Sequence, residues 1–475
     1  MARHTQSASG LQPYSAYKPS GVEWLGEVPT HWEVRRLGQM GTLSKGNGGS
    51  KDDEVSVGVP CIRYGDLYTT HSRFIKSTRA FISQARVAEY TPLKYGDVLF
   101  AASGETIDEI GKSAVNLILS KAHCGGDIIV FRSKCRTHAP FMGYVTDCWF
   151  SVIQKATMGR GFTVIHIYAT QLKQLVLPIP PLTEQAAIAR YLDRADERIR
   201  RSIEAKEKLV GLLEEMRQAL INEAVTGRFD VRTGQPYPVY KPSGAEWLGE
   251  VPSHWKTLRL RNAVTMRVST VDKHVRTGEV PVRLCNYVDV YKHDHISQRI
   301  DFMRATATLD EIERYRLKEG DVLITKDSEA WNDIGVPAVV TETAEDLISG
   351  YHLALLRPIA DVVTGAYLHL ALQSKEIAQQ FHIGAKGVTR YGLTHVSIKS
   401  VWIAVPPLAE QAAIARYLDR ADERIQRSIQ SARRQIDLLK EYCTRLIADV
   451  VTGKLDVRQA AAELPEDPED LESVD

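Results

Sequence analysis

The sequence predicts an α/β (α+β) fold built as an internal repeat: two globular domains separated by two long antiparallel helices that form a coiled coil. Two phrases predict the repeat. Residues 17–32 return at 240–255 with 14 of 16 positions identical, and residues 180–201 return at 406–427 with 20 of 22 identical. The third observation is a stripe of apolar residues at alternating steps of four and three in each copy. Together they predict a tandem duplication whose halves are related by a pseudo-twofold axis.

The composition is that of an ordinary soluble globular protein. The 475 residues are 44% hydrophobic and 25% charged, with a formal net charge of +1. A chain of this length needs three or four structural units rather than one core. It contains no apolar run of about 18 residues and begins with no secretory-signal pattern. The six cysteines include no CxxC pair, which argues against a disulfide framework and a zinc site. These features favour the reducing cytoplasm.

Between the repeated phrases the halves differ strongly, but a common skeleton persists. YGDVLF at 95–100 corresponds to EGDVLI at 319–324. Each is followed by an Ile-Gly pair whose glycine, Gly111 or Gly335, is predicted to form a turn. Short β-rich runs among Gly, Pro, Asp and Asn residues predict α/β domains in both variable stretches.

The proline-rich phrases begin two long helices. Pro180 and Pro406 suit a helix start, because the first N–H groups of a helix lack partners in any case. A glycine after each stripe provides a C-terminal stop. From Leu182 to Val225 the first helix has 44 residues, or roughly 66 Å at 1.5 Å per residue. The predicted organisation is a globular domain at 1–179, a helix at 180–226, a second globular domain at 227–405, a second helix at 406–452, and an acidic, disordered tail at 453–475.

A helix with one apolar stripe is not stable alone and must bury that stripe. It can pack on its own globular domain or against the stripe of the other helix; the prediction adopted is mutual burial of antiparallel helices that space two unlike domains. The residues predicted to pair the helices are Ile188, Leu192, Ile199, Leu213 and Leu220 in the first helix and Ile414, Leu418, Ile425, Leu439 and Leu446 in the second. The same alternating steps of four and three also predict that Ser202, Leu209, Met216, Ser428, Gln435 and Tyr442 lie on the stripe.

The sequence lacks the motifs of three enzyme classes. GETIDEIGKS at 104–113 is the nearest match to a phosphate loop, but Thr106 stands where a Walker A loop needs glycine. Neither the FxGxG loop nor the (D/N/S)PP(Y/F/W) motif of an adenine methyltransferase occurs, and no PD…(D/E)xK nuclease cluster follows a strand. No HExxH motif occurs either, so no catalytic or metal-binding residue is assigned. These absences argue against an enzyme.

Two tryptophans recur in the first repeated phrase. Trp24 and Trp32 return as Trp247 and Trp255, and stacking on bases is one use of such residues. Residues that distinguish two DNA sequences should differ between the halves, so core packing or partner contact is the better interpretation. The histidine before the second tryptophan of each pair is predicted to be structural.

Two divergent domains, each followed by a near-identical helix that begins PPLxEQ, resemble the specificity subunit of Type I restriction–modification systems. The match extends from about Tyr17 to Arg458 and rests on YKPSGxEWLGExPxHW, the GDVL phrases and PPLTEQAAIARYLD with PPLAEQAAIARYLD. The resemblance implies a DNA-reading subunit without its own catalysis. Each variable domain, a target recognition domain, would read one half of a bipartite, asymmetric site, and the helices would set the spacer.

The resemblance also implies partners that carry the chemistry. Two methyltransferase subunits would methylate adenine N6 with S-adenosylmethionine, and two motor and nuclease subunits would use ATP and Mg²⁺. No cofactor is then expected on this chain. Its own ligand would be double-stranded DNA.

The residues that read bases do not transfer from the family, because these domains are its most variable part. Candidates are polar or basic residues in turn-like stretches that differ between the halves. They are Lys45, Asn47, Lys51 and Arg160 in the first domain and Lys326, Asn332, Lys386, Arg390 and Tyr391 in the second. Arg63 and Arg283 are interpreted as matching positions, which favours phosphate contacts for both.

Two other functions stay open. One is a stand-alone DNA methyltransferase or nuclease with degenerate motifs, which would transfer methyl groups or cut DNA as the purified chain alone. The other is a coiled-coil adaptor whose two heads bind peptides and no DNA. Salt-sensitive DNA binding by the complex with its methyltransferase would count against the adaptor.

Overall fold

The computed structural model describes residues 11–49, 53–161 and 163–465. The chain divides into two compact units. Unit 1 consists of Met1–Lys206 and Arg434–Asp475, and unit 2 of Glu207–Arg433. The division falls inside the two long helices. Each unit therefore contains one globular domain, the first part of one long helix and the last part of the other.

The α-helices of the described residues fall into three groups. Those of unit 1 are α1 (Leu37–Met40), α2 (Tyr64–Thr69), α3 (Ala139–Asp147), α4 (Trp149–Met158) and α5 (Ala169–Leu172), and the first long helix is α6 (Leu182–Val225). Those of unit 2 are α7 (Tyr287–Lys292), α8 (Leu309–Tyr315), α9 (Gly365–Leu372), α10 (Lys375–Gly384) and α11 (His395–Ser400). The second long helix is α12 (Leu408–Val451), and α13 (Arg458–Ala462) follows it in unit 1.

The β-strands are short and most are antiparallel. The strands of unit 1 are β1 (Tyr17–Pro19), β2 (Glu27–Pro29), β3 (Glu33–Arg36), β4 (Gly41–Lys45), β5 (Glu54–Val55), β6 (Val59–Ile62), β7 (Phe74–Ile75), β8 (Ala80–Ile82), β9 (Thr91–Leu93), β10 (Val98–Ala101), β11 (Ser103–Gly104), β12 (Ser113–Asn116), β13 (Ala122–Cys124), β14 (Ile128–Ser133), β15 (Ile165–His166) and β16 (Val176–Ile179). The strands of unit 2 are β17 (Tyr240–Pro242), β18 (Glu250–Pro252), β19 (Lys256–Arg259), β20 (Val264–Val268), β21 (Val280–Cys285), β22 (His295–Ile296), β23 (Met303–Ala307), β24 (Val322–Thr325), β25 (Asp327–Ser328), β26 (Pro337–Val340), β27 (Leu347–Ser349), β28 (Leu353–Pro358), β29 (Ala385–Lys386), β30 (Tyr391–Leu393) and β31 (Trp402–Val405).

The two units share one sheet plan. The central sheet has the order β4-β14-β10-β12-β7 in unit 1 and β20-β28-β24-β26-β22 in unit 2. In both sheets only the last pair of strands is parallel. The second sheet differs, with five strands in unit 1 (β5-β8-β6-β13-β9) and three in unit 2 (β23-β21-β27). The predicted duplicated α/β domains are confirmed.

The repeated GDVL phrase places a buried aspartate before each central strand. Asp97 accepts hydrogen bonds from Arg132 Nε at 2.9 Å and Nη2 at 2.6 Å. Asp321 accepts the same two bonds from Arg357 at 2.8 and 2.7 Å. A buried carboxylate is costly unless it is paired and hydrogen-bonded, so each aspartate requires its arginine on the neighbouring strand.

Gly111 and Gly335 form the predicted turns. Their φ angles of 69° and 78° lie in the left-handed region that favours glycine. Lys155 is fully buried beneath Gly111, and its Nζ donates to the carbonyl oxygens of Gly111 at 2.8 Å and Thr146 at 3.0 Å. Burial lowers the pKa of Lys155 to about 8. In unit 2, Phe381 packs against Gly335 instead.

The helices α6 and α12 pack against each other in antiparallel orientation, as predicted. Their side chains are joined by hydrogen bonds or ion pairs at Asp196–Cys443 (3.3 Å), Lys206–Gln435 (2.5 Å), Glu214–Arg433 (3.1 Å) and Arg217–Asp422 (2.5 Å). Residue numbers rise along one helix as they fall along the other, which fixes the antiparallel direction. The first two pairs lie in unit 1 and the last two in unit 2.

The apolar stripe has a different register in the middle of each helix. All ten residues predicted to pair the helices are buried or half-buried. The added positions Ser202, Leu209, Met216, Ser428, Gln435 and Tyr442 are exposed, however, and their C-terminal neighbours are buried or half-buried instead. The prediction is wrong there because the stripe takes two consecutive steps of four, at 195–199–203 and 421–425–429. Such a step corrects the drift between 3.6 residues per turn and a strict heptad.

The residues after α12 return to the N-terminal segment of unit 1. Gln12 pairs with Asp456 in an antiparallel bridge, and the Tyr17 hydroxyl donates to the carbonyl oxygen of Gly453 at 3.1 Å. Arg190 of α6 donates to the carbonyl oxygen of Ala461, a buried residue of α13, at 2.7 Å. The predicted disorder is therefore wrong for the part of the tail that contains α13. Residues 466–475 lie outside the described residues.

Candidate nucleic-acid interface

The glutamate of each PPLxEQ phrase is a buried acceptor that binds the other repeated phrase. In unit 1, Glu184 is 5% exposed and accepts a hydrogen bond from Trp32 Nε1 at 3.0 Å. Its other oxygen lies 2.8 Å from His31 Nε2. The Tyr14 hydroxyl also donates to Glu184. Burial, together with this bond, raises the pKa of Tyr14 well above its usual value.

Unit 2 repeats this cluster residue for residue. Glu410 accepts from Trp255 Nε1 at 3.0 Å, lies 2.9 Å from His254 Nε2 and accepts from the Tyr237 hydroxyl. The structural interpretation of both histidines and of the second tryptophan in each pair is therefore confirmed. The first tryptophan of each pair, Trp24 or Trp247, is not a core residue, since 51% and 39% of their surfaces are exposed. The repeated phrases are thus mainly scaffold.

One end of the central sheet of unit 2 brings together two of the predicted DNA-binding residues, Lys326 and Arg390. Lys326 follows β24, and its side chain forms an ion pair with Asp327. The Lys326 N–H donates to the carbonyl oxygen of His352 at 3.0 Å. His352 Nδ1 lies 2.8 Å from Asp327 Oδ2, and its Nε2 lies 3.3 Å from Arg390 Nη2. We call these four residues the unit 2 polar cluster.

Asp327 organises this cluster. Burial raises the pKa of Asp327, but the hydrogen bonds from His352 and Lys326 outweigh that effect, and the pKa is lowered overall. The carboxylate therefore stays ionised and holds the surrounding donors in place. Such an arrangement of fixed donors at a surface is suited to phosphate oxygens and base edges.

Aromatic rings border the unit 2 polar cluster. The ring of Tyr351 lies 3.7 Å from that of His352, and Tyr287 meets His352 edge-on at 5.6 Å. Both tyrosines are more than 40% exposed. Lys386 is exposed on β29 and Tyr391 is half-buried on β30, in the small sheet β25-β30-β29. Exposed rings beside cations are typical of nucleic-acid-binding surfaces.

The same end of the central sheet in unit 1 carries fewer charges. Ala102 and Ser103 hold the positions of Lys326 and Asp327, since the Ala102 N–H donates to Asp127 O as that of Lys326 does to His352 O. Predicted residues of unit 1 lie on segments that pair with this end: Lys45 pairs with Ile129 of β14, and Arg160 pairs with His166, the partner of Ser103. Lys45 ends β4 and is exposed, Asn47 is exposed in the segment that follows β4, and Arg160 is exposed where it pairs with His166 of β15. The two ends therefore share a backbone and differ in chemistry.

Arg63 and Arg283 do not occupy matching positions, so that interpretation is wrong. Arg63 follows β6 and precedes α2, where unit 2 has Asn286. Arg283 lies inside β21. Arg63 forms an ion pair with Glu54 at 3.0 Å, and Arg283 binds both carboxylate oxygens of Asp346 at 2.9 and 2.7 Å. Both guanidinium groups thus have partners within their own domain.

Two predicted residues remain, Asn332 and Lys51. Asn332 is exposed beside Trp331, which is 53% exposed. Lys51 lies outside the described residues. The prediction missed Asp327, His352 and Tyr351, whose stretches show no common pattern. A signal for Tyr287 was present, because YVDVY at 287–291 repeats YGDLY at 64–68.

The described residues contain neither a candidate metal site nor a candidate membrane-spanning helix. In 11–49, 53–161 and 163–465, no group of three or more His, Cys, Asp or Glu side chains is arranged to hold a metal ion. No helix of that part of the chain combines the length and the apolar character that crossing a bilayer requires.

Comparison with known proteins gives a consistent result. The family model "Type I restriction modification DNA specificity domain" matches residues 29–209 and 289–434, together more than half of the chain. The chain is 21% identical over 453 residues to the Type I restriction enzyme EcoKI specificity subunit of Escherichia coli (strain K12), covering 93% of this chain and 92% of that protein. The two matched ranges include both PPLxEQ phrases and the central strands β10 and β24.

Two solved structures share the fold. A chain from a type I R-M system, studied for complex assembly and conformational transition, superposes with a TM-score of 0.70 at 18% identity over 90% of this chain and 99% of that one. The HsdS subunit from Thermoanaerobacter tengcongensis gives 0.55 at 19% identity over 90% and 98%. Because the family model matches more than half of its residues, this chain belongs to the family of Type I restriction–modification DNA specificity subunits.

Proposed function

We propose that each globular domain reads one half of a bipartite, asymmetric DNA site. The observation that carries this proposal is the contrast between the ends of the two central sheets. The clusters around Glu184 and Glu410 are identical in the two units, whereas the ends of the central sheets at Ala102 and Lys326 differ. Unit 2 presents a cluster of Lys326, Asp327, His352 and Arg390, and unit 1 has Ala102 and Ser103 at the positions of Lys326 and Asp327.

The duplicated chain suits an asymmetric site. A dimer of identical heads would require a palindromic site, because operator symmetry mirrors protein symmetry. Two unlike heads in one chain keep the repeated scaffold while they read different half-sites. Phosphate contacts would set the position of each domain, and contacts in the groove would set the sequence.

The paired helices would set the unread spacer and dock two methyltransferase subunits. Each helix presents an exposed apolar pair one turn apart, Leu212 with Met216 on α6 and Leu438 with Tyr442 on α12. These pairs occupy equivalent positions in the two copies. Exposed apolar side chains at matching positions support two sites for one kind of partner.

The proposal assigns no catalysis and no cofactor to this chain. S-adenosylmethionine would belong to the methyltransferase subunits, and ATP and Mg²⁺ to the motor and nuclease subunits. The purified chain alone, mixed with S-adenosylmethionine and DNA, is then expected to transfer no methyl group. Methyl transfer would favour the stand-alone enzyme instead.

Methylome sequencing with a domain exchange tests the proposal. A host that carries this chain and its methyltransferase should show a bipartite adenine motif, and deletion of the chain should remove it. Replacement of residues 33–179 by another variable domain should change one half of that motif only. A change in both halves, or in neither, would contradict independent reading by the two domains.

A further inference from the structure

The first repeated phrase presents the same exposed side chains in both units. Trp24 and Trp247 are 51% and 39% exposed. Each has exposed glutamates one residue before it and three residues after it, Glu23 and Glu27 in unit 1 and Glu246 and Glu250 in unit 2. We call each set of one tryptophan and two glutamates a tryptophan–glutamate patch.

The fold does not account for the tryptophan–glutamate patches. In the part of the chain that the structure describes, the carboxylates of the four glutamates form no hydrogen bond or ion pair, and neither tryptophan stacks on another ring. Trp32 of the same phrase differs, since it is fully buried and bonded to Glu184. Packing therefore explains why the buried residues of the phrase are the same in both copies. It does not explain why the exposed residues are also the same.

Charge and repetition together identify the kind of partner. DNA is disfavoured at these patches because its phosphates would meet two carboxylates. A basic protein surface is favoured, since an arginine or lysine can lie over an indole ring while the glutamates pair with its charge. The patch occurs twice in one chain whose DNA-reading ends differ, so its partner should be present in two identical copies.

We infer that the two tryptophan–glutamate patches bind two copies of the methyltransferase subunit through a basic surface of that subunit. This inference rests on the proposed function, in which two such subunits join the chain. The patches would supply contacts additional to those along the long helices.

The site in unit 2 has an apolar extension. Trp247 borders a groove of about 700 Å³ whose apolar lining includes Ile383, Val396 and Trp402, beside the cations Arg259 and Lys386. Ile383 and Val396 are 66% and 77% exposed. The equivalent positions in unit 1 hold the smaller residues Thr157, Thr170 and Val176. The first methyltransferase subunit should therefore bind at unit 2.

Native mass spectrometry of the full chain with its methyltransferase subunit tests the inference. The unaltered chain should carry two methyltransferase subunits. Trp24→Ala or Trp247→Ala should leave one at matched concentrations, and the double variant should leave none. Loss of an aromatic anchor is expected to weaken each site about 30-fold.

A second set of variants does not depend on the packing of tryptophan. Glu23→Lys with Glu27→Lys should abolish the unit 1 site, and Glu246→Lys with Glu250→Lys the unit 2 site. Leu119→Ala is a matched control, since Leu119 is an apolar side chain of unit 1 that is 84% exposed and lies outside the repeated phrases. Two bound subunits with unchanged affinity in every variant would overturn the inference and leave the proposed function standing. If the unaltered chain bound no methyltransferase subunit, both would fall.

Discussion

Trp32 donates its indole N–H to the buried carboxylate of Glu184 at 3.0 Å. The two residues belong to different repeated phrases, which are separated by most of a globular domain in sequence. The identical bond joins Trp255 to Glu410 in unit 2. Each repeated phrase therefore constrains the other, because a change in one would leave a buried donor or acceptor of the other without its partner. This constraint is the same in both units, so both phrases are kept in both copies.

Replacement of the buried glutamate should destabilise its own unit. Glu184→Ala removes the acceptor of Trp32, Tyr14 and His31, and we expect the free energy of unfolding of unit 1 to fall by about 3 kcal/mol. Urea unfolding followed by tryptophan fluorescence measures the change. Thr183→Ala, at the exposed neighbouring position, is the control and should have little effect. A loss below about 0.5 kcal/mol for Glu184→Ala would show that the bonds contribute little.

Lys155 should make the stability of unit 1 depend on pH. Its folded pKa is about 8 and its ordinary value is 10.5. Between these values the unfolded chain binds a proton that the folded chain lacks, so the contribution of Lys155 to stability rises with pH. The difference in unfolding free energy between the wild type and Lys155→Met should therefore grow in favour of the wild type, by about 1 kcal/mol from pH 8 to pH 9.

Cysteine thiols also titrate near this pH range, and their contribution to stability must be removed by comparing the two proteins. Burial raises the pKa of Cys61, Cys124 and Cys148 to about 12. These thiols lower stability as pH rises above 9. Cys61 and Cys124 do so equally in the wild type and in Lys155→Met, and Cys148, which interacts electrostatically with Lys155, is replaced by alanine in both proteins. Parallel unfolding curves for the two proteins across this range would mean that Lys155 keeps an ordinary pKa.

The parts of the fold that local patterns encode could be predicted. The first long helix was expected from Leu182 to Val225 and has those bounds, because proline, an apolar period and a terminal glycine are all local signals. The register in the middle of the stripe could not be predicted by a strict heptad. A strict heptad selects Ser202, but the half-buried residue is its apolar neighbour Ile203, because the stripe takes a second consecutive step of four there.

The candidate site was only partly predictable for a different reason. Lys326 and Arg390 were found because they lie in turn-like stretches that differ between the halves. His352 meets Asp327, the residue after Lys326, only because β24 and β28 are adjacent in the central sheet. Strand order has no local signature, so contacts across it were invisible in the sequence.

Arg390 and Lys386 should affect one half of the recognised site. Arg390→Ala or Lys386→Ala should relax or lose the bases read by unit 2, with a cost of about 1–3 kcal/mol where the lost contact is to a base. A phosphate contact would instead weaken binding to all sequences and reduce the salt dependence by about one ion. Methylation of a library of half-site variants separates these outcomes.

Arg427→Ala provides the control for the unit 2 variants, because Arg427 is an exposed cation on α12 with 73% of its side chain accessible. It should leave both half-sites unchanged. If Arg390→Ala altered the half-site read by unit 1, the independence of the two domains would be refuted.

The antiparallel pairing of α6 and α12 should allow the spacer to be lengthened only by paired insertions. Lys206 lies opposite Gln435, so seven residues inserted after Lys206 and seven after Arg433 enter at facing positions and at the boundaries of both units. Each unit then keeps its internal contacts. The bases read in both halves should stay the same, while the unread gap grows by up to about 3 base pairs at 1.5 Å per helical residue and 3.4 Å per base pair.

An insertion in one helix alone provides the contrast. Seven residues added only after Lys206 would move Glu214 and Arg217 away from Arg433 and Asp422, and the complex should lose methylation at every gap length. Methylation of DNA substrates with graded gaps measures both variants. An unchanged gap in the paired insertion, with full activity, would mean that the helices do not set the spacer.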